Sequence, residues 1–419
     1  MKYSIYLFVL LAGFSLVSSC RGDSSELEAE IRAIENGLIE AVIVKGEEPV
    51  RYPLEERMKL HNVPGVSLAV IRGGRIRWAR GYGMANKEDS TLVGTGTLFQ
   101  AGSVSKPVAA MAVLKLADEG KVDLDTDVNT FLKEWKIPET SYTEVEKVTL
   151  RSVLTHTDGM TVHGFPGYTQ KDSFPTIEQV LNGEGNTGPI VVDTIPGSLW
   201  RYSGGGYTVM ERVVEEVTGL PLETYMEQEI LEPMGMENST YMQPLPAEMY
   251  HNASAAYDSE GKLIEGLWHN YPEQAAAGLW TTPSDLALYC MEIQEIMKGR
   301  EEGIFSREMA GKMLTPHENG WGLGPHLYGE GDSMVFGHGG KNAGFTCDLK
   351  AFVHRGDGVV IMTGADNGGA LISELMRSLS DYYGWDFSVP REVELALLTR
   401  QQLEELAGTY RLAEQIPGM

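Results

Sequence analysis

The sequence predicts an α+β fold: an antiparallel sheet built from N- and C-terminal strands, flanked by helices, with a mainly helical region inserted between them. Three observations carry this. β-Rich segments cluster early and late in the chain, helical segments with Gly/Pro-rich loops fill residues 120–300, and short glycine turns join neighbouring strands. Strands joined by such short turns pair antiparallel.

The elements follow in order. Lys2 gives a positive start, and residues 5–16 are mostly apolar, too short for a comfortable membrane span and right for a signal peptide over residues 1–19. The ending Val17-Ser18-Ser19-Cys20 resembles a bacterial lipobox, in which Cys20 is lipidated and becomes the first residue of the mature chain. That predicts an envelope or periplasmic protein, anchored to a bacterial membrane without spanning it. Leu27, Ile31, Ile34 and Leu38 recur at helical spacing, so residues 20–46 read as a tether and an amphipathic helix stopping at Gly46. Residues 66–71 are a strand, Gly73-Gly74 a turn, and 75–79 its hairpin partner. A helix is expected over 103–119, closing at Gly120, and others over 150–155, 206–218, 222–231 and 283–297. Strand character returns at 333–336, 344–353 and 359–363, before a helix over 371–383. Residues 47–390 thus form the main domain. Residues 391–419 form a short extension, helical over 401–407 and strand-like over 408–412.

Composition narrows the function. With 34 Lys+Arg against 59 Asp+Glu, the net charge is −25, which excludes nucleic acid as the main partner because phosphate binding needs a basic stripe. After Cys20 only Cys290 and Cys347 remain, so there is no disulfide framework and no zinc spacing; two buried free thiols are expected.

Three motifs carry chemistry. In Ala101-Gly102-Ser103-Val104-Ser105-Lys106, Ser103 and Lys106 fall on one face at a helix start, and a lysine amine with a depressed pKa can activate a serine hydroxyl. In Trp200-Arg201-Tyr202-Ser203-Gly204-Gly205-Gly206, Tyr202 stands on a loop leading into a helix, where Lys106 would be its natural cationic neighbour. In Phe336-Gly337-His338-Gly339-Gly340-Lys341, the glycines let a substrate lie along a strand edge, and His338 is a candidate substrate contact.

Together these motifs resemble the serine β-lactamase and penicillin-binding superfamily, in its class C β-lactamase-like branch, which also holds family VIII-type esterases, D-aminopeptidases and D,D-peptidases. Further blocks agree: Pro64-Gly65-Val66, Leu154-Thr155-His156-Thr157-Asp158-Gly159-Met160, Pro233-Met234-Gly235-Met236, and the stretch Ala277-Gly278-Leu279-Trp280 through Leu286. The resemblance implies a β-lactamase/transpeptidase-like fold and a cofactor-free serine hydrolase. Ser103 would be the acylated nucleophile, Lys106 its proton-handling partner and Tyr202 the base or relay. The backbone N–H groups of Ser103 and Lys341 would form the oxyanion hole, and Gly204, His338, Gly339 and Gly340 would contact substrate.

Two departures bear on substrate. Gly204 stands where β-lactamases of this branch have Asn, and His338 replaces a permanent cation that helps hold a β-lactam carboxylate. The expected substrate is therefore a small ester, or a peptide or amide with D-residues. A class C-type β-lactamase or D,D-carboxypeptidase is the alternative within the superfamily, and a non-catalytic binding or sensor lipoprotein the alternative outside enzymes. No metal is expected. Asp123, Asp125, Asp127 and Glu134 have calcium-loop spacing, but Val128 replaces the turn-forming glycine, and His156, Asp158 and His163 belong to a block whose role in the superfamily is structural.

Overall fold

The structure is a computed structural model that describes residues 25–410. The expected signal peptide, Cys20 and the last nine residues of the extension lie outside the described residues. Among the described residues, no helix is long and apolar enough to cross a membrane. The described residues form two compact units: His61–Ile372, and a second made of residues 25–60 with 373–410.

The larger unit holds a seven-stranded sheet whose spatial order is Thr91–Leu92, Arg75–Asn86, Gly65–Arg72, Gly358–Thr363, Phe345–Phe352, Val335–Asn342 and His326–Tyr328. Every pairing in it is antiparallel. Gly358–Thr363 is the seam. It is buried along its whole length and pairs with an early strand on one side (Val360 opposite Ala69) and a late one on the other (Val360 opposite Leu349). The Gly73-Gly74 turn between the first two strands has φ of 59° and 75°, a backbone that glycine adopts without strain.

Helix Pro283–Lys298 is tied to the late hairpin by its buried Gln294, whose Nε2 donates to the carbonyls of Phe352 (2.8 Å) and Asp357 (3.0 Å). Helix Ser105–Asp118 is apolar nearly all round and runs through the core, as a helix without a polar face must. The periodicity placed Ser103 inside this helix. It lies instead in a 3₁₀ turn, Gly102–Val104, just ahead of it.

A second difference concerns Val335–Asn342. Its glycines argue against a strand past residue 336, yet pairing with Phe345–Phe352 carries the strand through the whole motif. Cys290 and Cys347 are buried free thiols. The calcium-like carboxylates serve other partners: Asp123 accepts the Asp125 N–H, Asp125 pairs with Arg151, Asp127 caps a 3₁₀ turn, and Glu134 pairs with Arg212.

In the smaller unit the first helix covers residues 25–35 and buries Ile31 and Ile34. It ends at residue 35, well before Gly46, and at Gly37 the packing is so close that a side chain would press on the Ala33 carbonyl (2.7 Å) and on Ser378 (2.8 Å). Arg57 and Glu374 form a buried bidentate pair there, at 2.7 and 2.5 Å. The extension carries a short strand, Arg391–Val393, parallel to Val42–Val44, and a helix, Arg400–Leu406, with a capping box at Thr399. Residues 408–410 are not a strand.

Candidate active site

Ser103 owes its position to two glycines. A Cβ on Gly340 would lie 1.9 Å from the Ala101 carbonyl oxygen, and a Cβ on Gly102 (φ 53°) would lie 2.5 Å from the Lys341 nitrogen. The strand and the serine turn therefore approach at backbone distance, which only glycine permits.

The sheet register orients the Lys341 N–H. Asn342 and Phe345 flank a two-residue turn, so they form a hydrogen-bonded pair, and the next pair, Lys341 with Thr346, points its main-chain groups outward. On that outward side the edge strand has already ended, its last pairing being His326 with Gly337. Gly339 and Lys341 thus present main-chain edges that no strand pairs on that side, with the Gly339 carbonyl met by His338 Nδ1 at 2.5 Å, and both residues are exposed. A developing oxyanion requires two such donors, and the Lys341 N–H lies on the edge that meets the Ser103 turn.

Lys106 occupies the first turn of the buried helix and is 2% exposed. Its Nζ donates to the Ala276 carbonyl (2.8 Å) and to Ser103 Oγ (3.2 Å), over the rings of Tyr202 (5.0 Å) and Tyr207 (5.8 Å). Burial pulls its pKa down to about 7, so a neutral amine is available near neutral pH.

Tyr202 sits one residue before the N-cap Ser203 of helix Gly204–Thr218. Its buried hydroxyl makes no formed hydrogen bond, and burial pushes the phenol well above the ordinary tyrosine range, opposed only by nearby Ser103. A proton relay fits this group better than a standing phenolate.

His156 holds the Tyr202 loop. Its backbone is left-handed (φ 61°), its carbonyl accepts the Arg201 N–H (2.8 Å), and its Nδ1 accepts the Ser203 N–H (3.1 Å). Its ring lies against Tyr202 at 4.3 Å and against the edge of Trp321 at 4.8 Å.

The other predicted residues fall around this centre. His338 is 5% exposed, 6.2 Å from the Tyr202 ring and 5.6 Å from Trp321. Burial first, then the Lys106 charge, lower its pKa to about 3, so the imidazole is neutral. Gly204 is buried, and a side chain there would meet Phe165 (3.0 Å) and the His163 carbonyl (3.1 Å). Lys341 holds its exposed amine 3.6 Å from Asp366. His156, Asp158 and His163 do not converge: they bind Ser203 N–H, Met160 N–H and the Tyr202 carbonyl respectively. Among the described residues, no group of three or more His, Cys, Asp or Glu is arranged to hold a metal.

Sequence reasoning missed Ala276 and Trp321. The Ala276 carbonyl precedes the block at 277–286 by one residue, and a main-chain acceptor leaves no side-chain signature.

Comparisons with known proteins agree with this architecture. The family model described as Beta-lactamase matches residues 53–370. Esterase EstB of Burkholderia gladioli is 27% identical over 247 residues, which cover 55% of this chain and 60% of the esterase. Penicillin-binding protein 4 of Amycolatopsis lactamdurans is 24% identical over 339 residues, 76% of this chain and 85% of that protein. Among solved structures, the octameric penicillin-binding protein homologue from Pyrococcus abyssi superposes with a TM-score of 0.66 at 25% identity, covering 80% of this chain and 78% of that one. The chain belongs to the beta-lactamase family and is, by that membership, a serine hydrolase.

Proposed function

We propose that this hydrolase cleaves small neutral esters, or amides of D-residues, through an acyl-enzyme on Ser103. Ser103 Oγ adds to the substrate carbonyl carbon while neutral Lys106 takes the hydroxyl proton. The negative oxygen rests between the N–H groups of Ser103 and Lys341. Collapse breaks the bond to the leaving group, which takes a proton through Lys106 and Tyr202. Water, deprotonated by the same pair, then releases the acyl group as a carboxylic acid.

One observation carries the reading: Lys106 Nζ stands 3.2 Å from Ser103 Oγ with its pKa drawn down to about 7. The substrate class rests on charge. His338 is neutral and buried where the resemblance to class C β-lactamases would call for a cation, and Gly204 has no amide to offer. A site built on hydrogen bonds discriminates strongly against ligands whose partners it lacks. A fluorophosphonate probe should label the wild type and leave Ser103→Ala unlabelled; equal labelling of both would end this reading. Comparing kcat/KM for a p-nitrophenyl acyl ester, a D-alanyl peptide and a chromogenic cephalosporin tests the substrate class. A clear lead for the cephalosporin would favour a β-lactamase, and a burst of product without steady turnover would favour a sensor.

The place of action is a separate part of the proposal. Lys2, the apolar run 5–16 and the Val17-Ser18-Ser19-Cys20 ending support export and a lipid anchor on Cys20. Cys20→Ala should move the protein from the membrane to the soluble fraction, and full retention in the membrane would contradict the anchor.

A further inference from the structure

The Ala276 carbonyl that receives Lys106 belongs to a very short helix, Gln274–Ala277, which has no side-chain cap of its own. Four residues cannot hold themselves in place by helix propensity, so their orientation must come from outside. It comes from the middle of the Tyr202 helix. Glu211, 2% exposed in Gly204–Thr218, accepts the Ala275 N–H on its carboxyl at 2.8 Å. The Ala275 N–H and the Ala276 carbonyl stand one peptide unit apart within the same helical turn, so fixing one restricts the other.

A buried glutamate is an unusual choice for this task. Its surroundings are acidic: Glu215 from the next turn of its own helix, Glu223 from helix Leu222–Met226 and Glu273 from the segment it pins, with Tyr241 also close. Burial, reinforced by Glu215, holds the Glu211 carboxyl well above the ordinary carboxylate range. Among the described residues it makes no ion pair, and its carboxyl accepts the Ala275 N–H. The groups facing Lys106 are different ones: Ser103, Tyr202, Tyr207, His156 and His338.

We propose that Glu211 is a positioning residue that orients the Ala276 carbonyl onto Lys106 and so sets the lysine against Ser103. It touches neither substrate nor the reacting atoms and acts through the short helix Gln274–Ala277. The inference rests on Lys106 being the proton acceptor of Ser103.

E211Q keeps an acceptor for the Ala275 N–H; E211M fills the same volume without one. E211Q should stay within about threefold of wild type in kcat, whereas E211M should lose about thirtyfold or more with KM changed less than about threefold. The rising limb of the kcat/KM pH profile should also move to lower pH in E211M, because an ammonium that loses its carbonyl partner gives up its proton more readily. If E211M does not fold, E211D, which keeps the carboxyl but falls one methylene short, makes the same test. Folded E211M with wild-type kcat and an unmoved limb would overturn the inference, as would equal losses in E211Q and E211M. A wild type inert to the fluorophosphonate would remove the acyl-enzyme reading and this inference with it. A reactive wild type beside an indifferent E211M removes only the inference.

Discussion

Lys106 Nζ lies 3.2 Å from Ser103 Oγ while the same nitrogen donates to the Ala276 carbonyl at 2.8 Å. The two contacts pull in opposite directions. The carbonyl favours the ammonium, whereas proton acceptance from serine requires the free amine, and burial moves the balance to a pKa of about 7.

Activity should therefore rise with pH through neutrality. The kcat/KM profile for a neutral ester is expected to show a rising limb with an apparent pKa near 7, since the working form of Lys106 is the deprotonated one. A flat profile between pH 5 and 9 (roughly two units either side of that value) would show that another group takes the proton.

The same burial makes Lys106 a load on the fold. Its folded pKa is depressed below the unfolded value of 10.5, so the penalty is complete below about pH 7 and fades as pH rises from 7 to 10.5. Lys106→Met should abolish turnover and raise stability at pH 6 by on the order of several kcal/mol, with the gap narrowing at pH 9.5. Urea titrations of both proteins at the two pH values check the sign.

Gly340→Ala should injure both fold and chemistry. The new methyl would collide with the Ala101 carbonyl oxygen, so the strand must withdraw from the Ser103 turn and carry the Lys341 N–H away. Losing one oxyanion donor typically lowers kcat about 10²- to 10³-fold. A kcat within threefold of wild type would remove Lys341 from the oxyanion hole.

His156→Phe should retain the ring against Tyr202 but leave the buried Ser203 N–H without its acceptor. A stability loss of about 1–3 kcal/mol is expected, because an unsatisfied buried donor keeps its full desolvation penalty. The kcat should fall about tenfold at nearly constant KM, because the displaced tyrosine serves the chemical step. Steady-state kinetics and chemical denaturation separate the two effects.

The fold was legible where side chains carried the signal. The apolar run 66–71, the Gly73-Gly74 turn and the partner 75–79 pointed to the Gly65–Arg72 and Arg75–Asn86 hairpin, and the apolar run past 103 to the helix that begins at Ser105. Motif order pointed to Ser103, Lys106, Tyr202 and the 338–341 strand as neighbours, and the structure brings them together. What stayed hidden was main-chain work. The Ala276 carbonyl, the turn around Ser103 and the extension of a strand through Gly337, Gly339 and Gly340 depend on tertiary pairing that local propensity opposes. Glu211 was hidden for another reason, since an acid on a helix reads as solvated surface and this one is buried.

The most direct test is intact-mass spectrometry of the protein quenched during turnover of a p-nitrophenyl acyl ester, followed by peptide mapping. The expected result is a mass increase of one acyl group, carried by the peptide containing Ser103 and absent from Ser103→Ala. An adduct on another residue, or full turnover by Ser103→Ala, would contradict acyl transfer through Ser103.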